Sequence, residues 1–191
     1  MRLFVGLPIP DDHVDALWPL QDGVPGADWT DPDDHHLTLV FLGELAPDRV
    51  PALAQILGGV RFAPFELAMA GLGHFPPRGR PRSLWAGVQA SDPLRRLQAK
   101  VARACAGHGL NLDARQFAPH ITLARLRDSP PHRVAQWLGG HVGFASEPWT
   151  VDHFVLYRSV RQPGVQHYEP LHTVWADGRD GLGGDDEQQA G

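Results

Sequence analysis

The sequence predicts a mixed helix-and-strand domain of two related lobes facing each other across a groove. Two observations predict it. Each half of the chain shows the same order of apolar patterning, strand–helix–strand–helix–strand. The middle strand of each half opens on His-apolar-Thr-Leu, as His36-Leu37-Thr38-Leu39 and His120-Ile121-Thr122-Leu123, 84 residues apart. A period of that length is a duplicated lobe and too long for a solenoid repeat.

In the first half, residues 2–9 form an apolar, β-prone run ended by Pro8 and Pro10. Val14, Leu17 and Trp18 follow at helical spacing behind an acidic first turn, which predicts a helix over 11–20. A Gly/Pro/Asp loop runs to Asp34, and residues 36–45 read as a buried strand. Val50, Leu53 and Leu57 mark a helix over 47–57, stopped by Gly58-Gly59, and residues 62–70 read as a strand. Gly71-Leu72-Gly73 reads as a turn, since no third glycine stands at dinucleotide-binding spacing.

In the second half, residues 83–90 are a strand and Ser91 is placed to cap a helix carrying Leu94, Leu97, Val101 and Ala104 on one face. Residues 119–126 are a strand, 132–138 a short helix, 149–160 one long strand and 168–176 a closing strand. The domain is expected to span residues 1–176, with lobes at roughly 1–70 and 83–160 plus the closing strand. Residues 177–191 lack periodicity and are expected to be a disordered acidic tail.

Composition narrows the class. A chain of 191 residues with 42% hydrophobic content supports one core and excludes global disorder. No apolar run approaches the roughly 18 residues a membrane span requires, and the N-terminus lacks a signal peptide's layout. Cys105 is the one cysteine, which excludes an internal disulfide and a Cys-rich zinc site. A cytoplasmic monomer is expected. The net charge of −5 is unevenly spread: residues 1–45 carry −8, residues 46–176 carry +7 and the tail −4. The basic middle suits an anionic ligand.

The paired motifs carry the chemistry. On a strand, residues i and i+2 share a face, so His36 and Thr38 point together while Leu37 and Leu39 point to the core. The same holds for His120 and Thr122. An imidazole titrates near neutrality, so one neutral and one protonated histidine can coexist as general base and general acid. The two hydroxyls can donate to oxygens carrying negative charge. In-line attack at phosphorus needs base and acid on opposite sides, and a pseudo-twofold groove places them there. Phosphoester cleavage fits this set without a metal or other cofactor.

The sequence resembles the RNA 2′,3′-cyclic phosphodiesterases, also called 2′-5′ RNA ligases, of the two-histidine phosphoesterase superfamily. The matching segments are RLFVGLPIP (2–10), HLTLVFLGE (36–44), GLGHFPPRGRPRSLWAGV (71–88), PHITLARL (119–126), FVLYRSV (154–160) and YEPLHTVWA (168–176). The resemblance implies a bilobal α+β fold of duplicated β-α-β-α-β units, with antiparallel sheets lining a central pseudo-twofold cleft. It implies hydrolysis of RNA 2′,3′-cyclic phosphate ends to 2′-phosphate without a metal, with reversible 2′-5′ joining of RNA. The implied catalytic set is His36, Thr38, His120 and Thr122. His36 is read as the acid on the departing 3′ oxygen and His120 as the base on water, an order that the symmetry of the site leaves open. The expected partners are RNA 3′ ends or small cyclic nucleotides. The alternatives are another cyclic or 2′-5′ phosphodiester hydrolase of the superfamily, or a nucleotide- or RNA-binding module without turnover.

Phe41 and Arg125 share an offset of five residues from their histidines. Strict alternation turns both away from the groove, whereas a bulge would re-aim them and the resemblance implies contact with the terminal nucleotide. If both reach the cleft, they are expected to sandwich one base. Arg78, Arg80 and Arg82 fit either a solvated loop or a phosphate-contacting rim. His35 is expected to face away from the groove, Cys105 to be buried and inert, and the remaining histidines lack metal-ligand spacing.

Overall fold

The computed structural model describes residues 1–76, 78–110, 112, 116–162 and 165–177. Ten strands and four helices alternate along them. The strands are β1 (Arg2–Pro8), β2 (Ala27–Trp29), β3 (His36–Glu44), β4 (Phe65–Leu67), β5 (Met69–Phe75), β6 (Ser83–Val88), β7 (His120–Leu126), β8 (Trp149–Val151), β9 (His153–Gln162) and β10 (Val165–Trp175). The helices are α1 (Asp11–Asp15), α2 (Val50–Gly58), α3 (Asp92–Ala106) and α4 (Pro131–Gly140).

The fold is α+β and antiparallel throughout. One sheet runs β10-β9-β1-β3-β7-β6-β5, with β2 added beside β7, and β4 pairs with β8 in a separate ribbon. The two middle strands of the repeat, β3 and β7, meet at the centre through the single register pair Leu37–Ile121. Both side chains are fully buried, so the seam between the lobes is dry on its core face. Beyond this pair the strands diverge, β3 continuing along β1 while β7 runs between β6 and β2. On the opposite face lie the half-buried positions of both strands, where the sequence places the groove.

The helices cover the core face. Ser91 caps α3 through its hydroxyl to the Leu94 N–H, as expected. The buried stripe of α3 is Leu94, Leu97, Val101 and Cys105, so the stripe ends on Cys105 where the sequence reading had placed Ala104. Burial raises the Cys105 thiol to about 11, which removes it as a nucleophile at neutral pH.

Several boundaries differ from the sequence reading, each for a local reason. The 11–20 segment is α1 followed by a short 3₁₀ turn at Trp18–Leu20, because Pro19 interrupts the α-helical ladder. The loop to Asp34 contains β2 and a 3₁₀ turn at Pro32–Asp34. A three-residue edge strand carries too little pattern to be read from sequence. The 62–70 strand is β4 and the start of β5, and Gly71-Leu72-Gly73 lies within β5 and is no turn. Glycine is needed at 73 because a Cβ there would stand 2.2 Å from the Trp85 ring of the neighbouring strand. The 149–160 strand divides at Asp152 into β8 and β9, which belong to different sheets. Of the expected tail only Asp177 lies within the described residues; its N–H bonds the Phe62 carbonyl. No described helix is long and apolar enough to cross a membrane.

Candidate functional site

β3 and β7 present the same burial sequence over their first six residues: two half-buried positions separated by a buried one, two buried positions, then an exposed one. The half-buried positions are His36 and Thr38 on β3, His120 and Thr122 on β7. The antiparallel Leu37–Ile121 pair brings the four together, since it carries His36 toward Thr122 and Thr38 toward His120. Gly6 faces Thr38 across β1, and a Cβ at Gly6 would crowd the Leu37 carbonyl at 3.0 Å and the His36 ring at 3.5 Å. Glycine there leaves room for the imidazole.

Each imidazole is held in the same way. The His36 Nδ1–H donates to the Asp34 carbonyl at 2.7 Å and the His120 Nδ1–H to the Ala118 carbonyl at 2.7 Å. A carbonyl only accepts, so Nδ1 carries the proton in both rings and Nε2 is left to exchange protons with a ligand. No described residue hydrogen-bonds the Thr38 or Thr122 hydroxyl. Both stay available as donors.

The surroundings of the two rings differ. His36 sits among aromatic rings: Phe4 at 4.6 Å between centroids, Tyr168 edge-on at 4.7 Å and Tyr157 at 6.1 Å. Burial, reinforced by the nearby charges of His35 and His120, pushes His36 down to about 4 against the support of the Asp34 carbonyl. His36 is therefore neutral at pH 7 in the ligand-free protein. His120 meets Phe75 edge-on at 5.0 Å and Trp85 at 6.4 Å.

The disagreement over Phe41 and Arg125 is resolved by a bulge. Thr38 pairs with Gly6 and Val40 with Val5, so Leu39 is an extra residue in β3; Thr122 pairs with Trp85 and Ala124 with Leu84, so Leu123 is the equivalent extra residue in β7. Each bulge resets the alternation, and Leu39-Val40 and Leu123-Ala124 are consecutive buried pairs. Phe41, 50% exposed, and the exposed Arg125 thus return to the face of the histidines. They do not face each other. They lie beyond the seam in opposite directions, on the order of 20 Å apart at about 3.3 Å per residue, which is too far for both to stack on one base.

Phe41 is joined on its face by Phe4 at 6.3 Å, and Phe4 in turn stacks on Tyr157 at 5.1 Å. Arg125 has no acidic partner among the described residues; Asp28, opposite it on β2, pairs with Arg127 at 3.2 Å. In the 76–82 loop Arg80 pairs with Asp128 at 2.8 Å, while Arg78 and Arg82 are exposed. His35 is buried, its Nδ1 bonding the Pro32 carbonyl. Among the described residues no three side chains of metal-ligating type converge.

Sequence reasoning missed the residues that surround His36. Tyr157 and Tyr168 are separated from it by more than a hundred residues; Tyr157 arrives through the β1–β9 pairing opposite Phe4, and Tyr168 on the β10 strand of the β9–β10 hairpin. In the sequence Asp34 marks only the end of a loop. Its carboxylate is buried, accepts the Tyr168 N–H at 2.9 Å and stands 3.3 Å from the His167 ring. Burial raises its carboxyl above the usual range despite both contacts.

Comparison with known proteins identifies the family. The 2'-5' RNA ligase superfamily matches residues 13–163. An RNA 2',3'-cyclic phosphodiesterase of Archaeoglobus fulgidus is 30% identical over 176 residues, covering 91% of this chain and 99% of that protein. One from Geobacillus stearothermophilus is 35% identical over 162 residues, covering 82% of this chain but only 51% of that longer protein. Among solved structures, one from Thermus thermophilus superposes with a TM-score of 0.77 at 29% identity over 94% of this chain and 100% of that one. Escherichia coli LigT complexed with 3'-AMP superposes with a TM-score of 0.73 at 25% identity over 92% of this chain and 98% of that one. With the family pattern matching residues 13–163 and the antiparallel fold shared over more than nine-tenths of the chain, the chain belongs to the 2'-5' RNA ligase superfamily.

Proposed function

We propose that the protein hydrolyses RNA 2′,3′-cyclic phosphate ends to 2′-phosphates by metal-independent acid–base catalysis. The observation that carries this reading is the equivalent pair of imidazoles, each tethered at Nδ1 with Nε2 left for proton transfer, converging at the seam between the lobes. In the proposed step His120 Nε2 takes a proton from water as its oxygen attacks phosphorus. The P–O3′ bond breaks, and His36 Nε2 gives its proton to the departing oxygen. Thr38 and Thr122 donate to the non-bridging oxygens as negative charge builds there. A 5′-hydroxyl in place of water gives a 2′-5′ linkage by the same step.

The acid role sets a condition on His36. Because burial keeps it neutral in the free protein, it must take up its proton together with the anionic substrate, whose charge replaces the hydration the imidazolium has lost. Calorimetric titration of the non-hydrolysing His120→Ala variant with a mononucleoside 2′,3′-cyclic phosphate, in buffers of different ionisation enthalpy, should report uptake of about one proton at pH 7. No uptake would exchange the roles of the two histidines.

The direct test is an oligoribonucleotide ending in 2′,3′-cyclic phosphate, incubated with the protein in excess EDTA. Conversion to the 2′-phosphate is expected. Loss of activity on chelation, restored by Zn²⁺ or Mn²⁺, would refute the metal-free step, and RNA binding without turnover would leave a binding module.

At the two ends of the groove, Phe41 is assigned to a base and Arg125 to a phosphodiester of the same RNA. Stacking on an aromatic ring is worth about 1–3 kcal/mol per base. Phe41→Ala should therefore raise KM about 5- to 150-fold, and because the ring is half-exposed the melting temperature should stay near wild type. A collapse of the melt with unchanged KM would return Phe41 to a packing role. Arg125→Gln should weaken an oligonucleotide more than a mononucleotide, with a shallower salt dependence of binding.

A further inference from the structure

The internal duplication supplies its own control for the residue two positions before each histidine. Asp34 and Ala118 are equivalent, and both use the backbone carbonyl to hold the imidazole Nδ1–H at 2.7 Å. Ala118 shows that no side chain is needed for that bond. Asp34 nevertheless carries a carboxylate that is only 5% exposed, a costly group to bury unless it is bonded. Its bonds go to one place. It accepts the backbone N–H of Tyr168 at 2.9 Å and stands 3.3 Å from the half-exposed His167, both on β10.

Those contacts are not a consequence of sheet pairing. Three strand spacings separate β10 from β3 in the sheet order, and β10 is an edge strand whose ladder partner is β9 alone. The hairpin therefore curls back over the groove face of the first lobe, aided by a bulge between Pro170 and His172. This lays the Tyr168 ring edge-on against His36 at 4.7 Å and against Phe4 at 5.1 Å. A single residue thus touches both parts: its carbonyl holds the ring of His36, and its carboxylate holds the strand that covers that ring. Among the described residues the second lobe has no counterpart.

We propose that the Asp34 carboxylate is a positioning residue, clamping the β9–β10 hairpin so that Tyr168 stays packed on His36, a cover that the equivalent Ala118 cannot supply at His120. The clamp acts through acceptance of the Tyr168 N–H; the neighbouring His167 ring lies on the solvent side, 3.3 Å from the carboxylate. His35, Asp31 and Asp33 are the other ionisable groups near the carboxylate, and they belong to the same 3₁₀ turn and its flanks. The kinetic part of the proposal rests on the hydrolase reading above, whereas the packing of Tyr168 on His36 does not.

The test compares Asp34→Ala with Asp34→Asn, whose amide oxygen can still accept the Tyr168 N–H. Asp34→Ala should lower kcat on a cyclic phosphate about tenfold or more with KM changed less than about twofold, as expected for a lost positioning contact. The NMR titration of His36 should move up toward the ordinary histidine range as the ring gains water. Asp34→Asn should restore most of kcat and the low His36 titration. An Asn variant as impaired as the Ala variant would overturn the proposal, as would an Ala variant with wild-type kcat and His36 titration. If Asp34→Ala does not fold, amide exchange in the wild-type protein decides: the Tyr168 N–H should exchange at least about a hundredfold slower than in a free peptide. Free-peptide exchange there would show that no clamp exists. Absence of any turnover in the wild type would sink the hydrolase reading, yet the titration and exchange results would still judge the clamp.

Discussion

Replacing His36 or His120 by alanine is expected to lower turnover of an RNA 2′,3′-cyclic phosphate by about 10²–10⁴-fold, the contribution one positioned proton carrier makes. The fold should survive, because the bond each ring makes to protein is to a carbonyl two residues earlier in its own chain segment. Thr38→Ala and Thr122→Ala should be milder, each removing one donor. Near-wild-type turnover in either histidine variant would end the paired acid–base reading. The His36 variant carries a second readout. The unfolded chain binds a proton at His36 near pH 6.5, the folded protein only near 4, so acid favours unfolding across that window. The shift corresponds to roughly 3 kcal/mol lost between pH 6.5 and 4. His36→Ala should lack this component and lose less stability there than the wild type. His35, also lowered by burial, keeps its own share of acid sensitivity in both proteins.

Ile121→Ala is expected to damage stability and activity together. Ile121 is fully buried and forms, with Leu37, the pair that joins the two lobes' sheets. Truncation of such a side chain costs about 2–5 kcal/mol, and the loss rises with how poorly the site collapses. Here collapse is hindered, since β3 and β7 are each held along the rest of their length by other strands. The void would loosen the spacing between the two histidine motifs, so turnover by the fraction that remains folded should fall about tenfold or more, a sub-ångström misplacement being enough for that. Chemical denaturation beside kinetics on the folded protein checks both effects. A destabilised variant with unchanged turnover would show that the seam stabilises the molecule without aligning the site.

The two His-x-Thr motifs and their repeat were legible in the chain before any fold was known, whereas the lobe bounds were not, because β9 and β10 pair onto β1 and β5 onto β6. Period-two alternation puts His and Thr of each motif on one face, and the 84-residue repeat makes the motifs equivalent. These are local properties, and local patterning is what a one-dimensional reading can carry. Phe41 and Arg125 were beyond it, because their direction depends on one extra residue in each strand. Neither Leu39 nor Leu123 differs in kind from the leucines around it; the bulge exists only in the pairing with β1 and with β6. The expected single-base sandwich failed for a related reason. The repeat told that the lobes are equivalent, but the antiparallel seam decided that equivalent residues point to opposite ends of the groove. The asymmetry between the histidines was equally invisible. His36 owes its burial and its low protonation to Tyr157, Tyr168 and Phe4, and the carboxylate that holds Tyr168 sits 134 residues before it in the chain. Which group a motif presents follows from neighbours in sequence; what surrounds that group, and hence its charge, follows from strands that meet it only after folding.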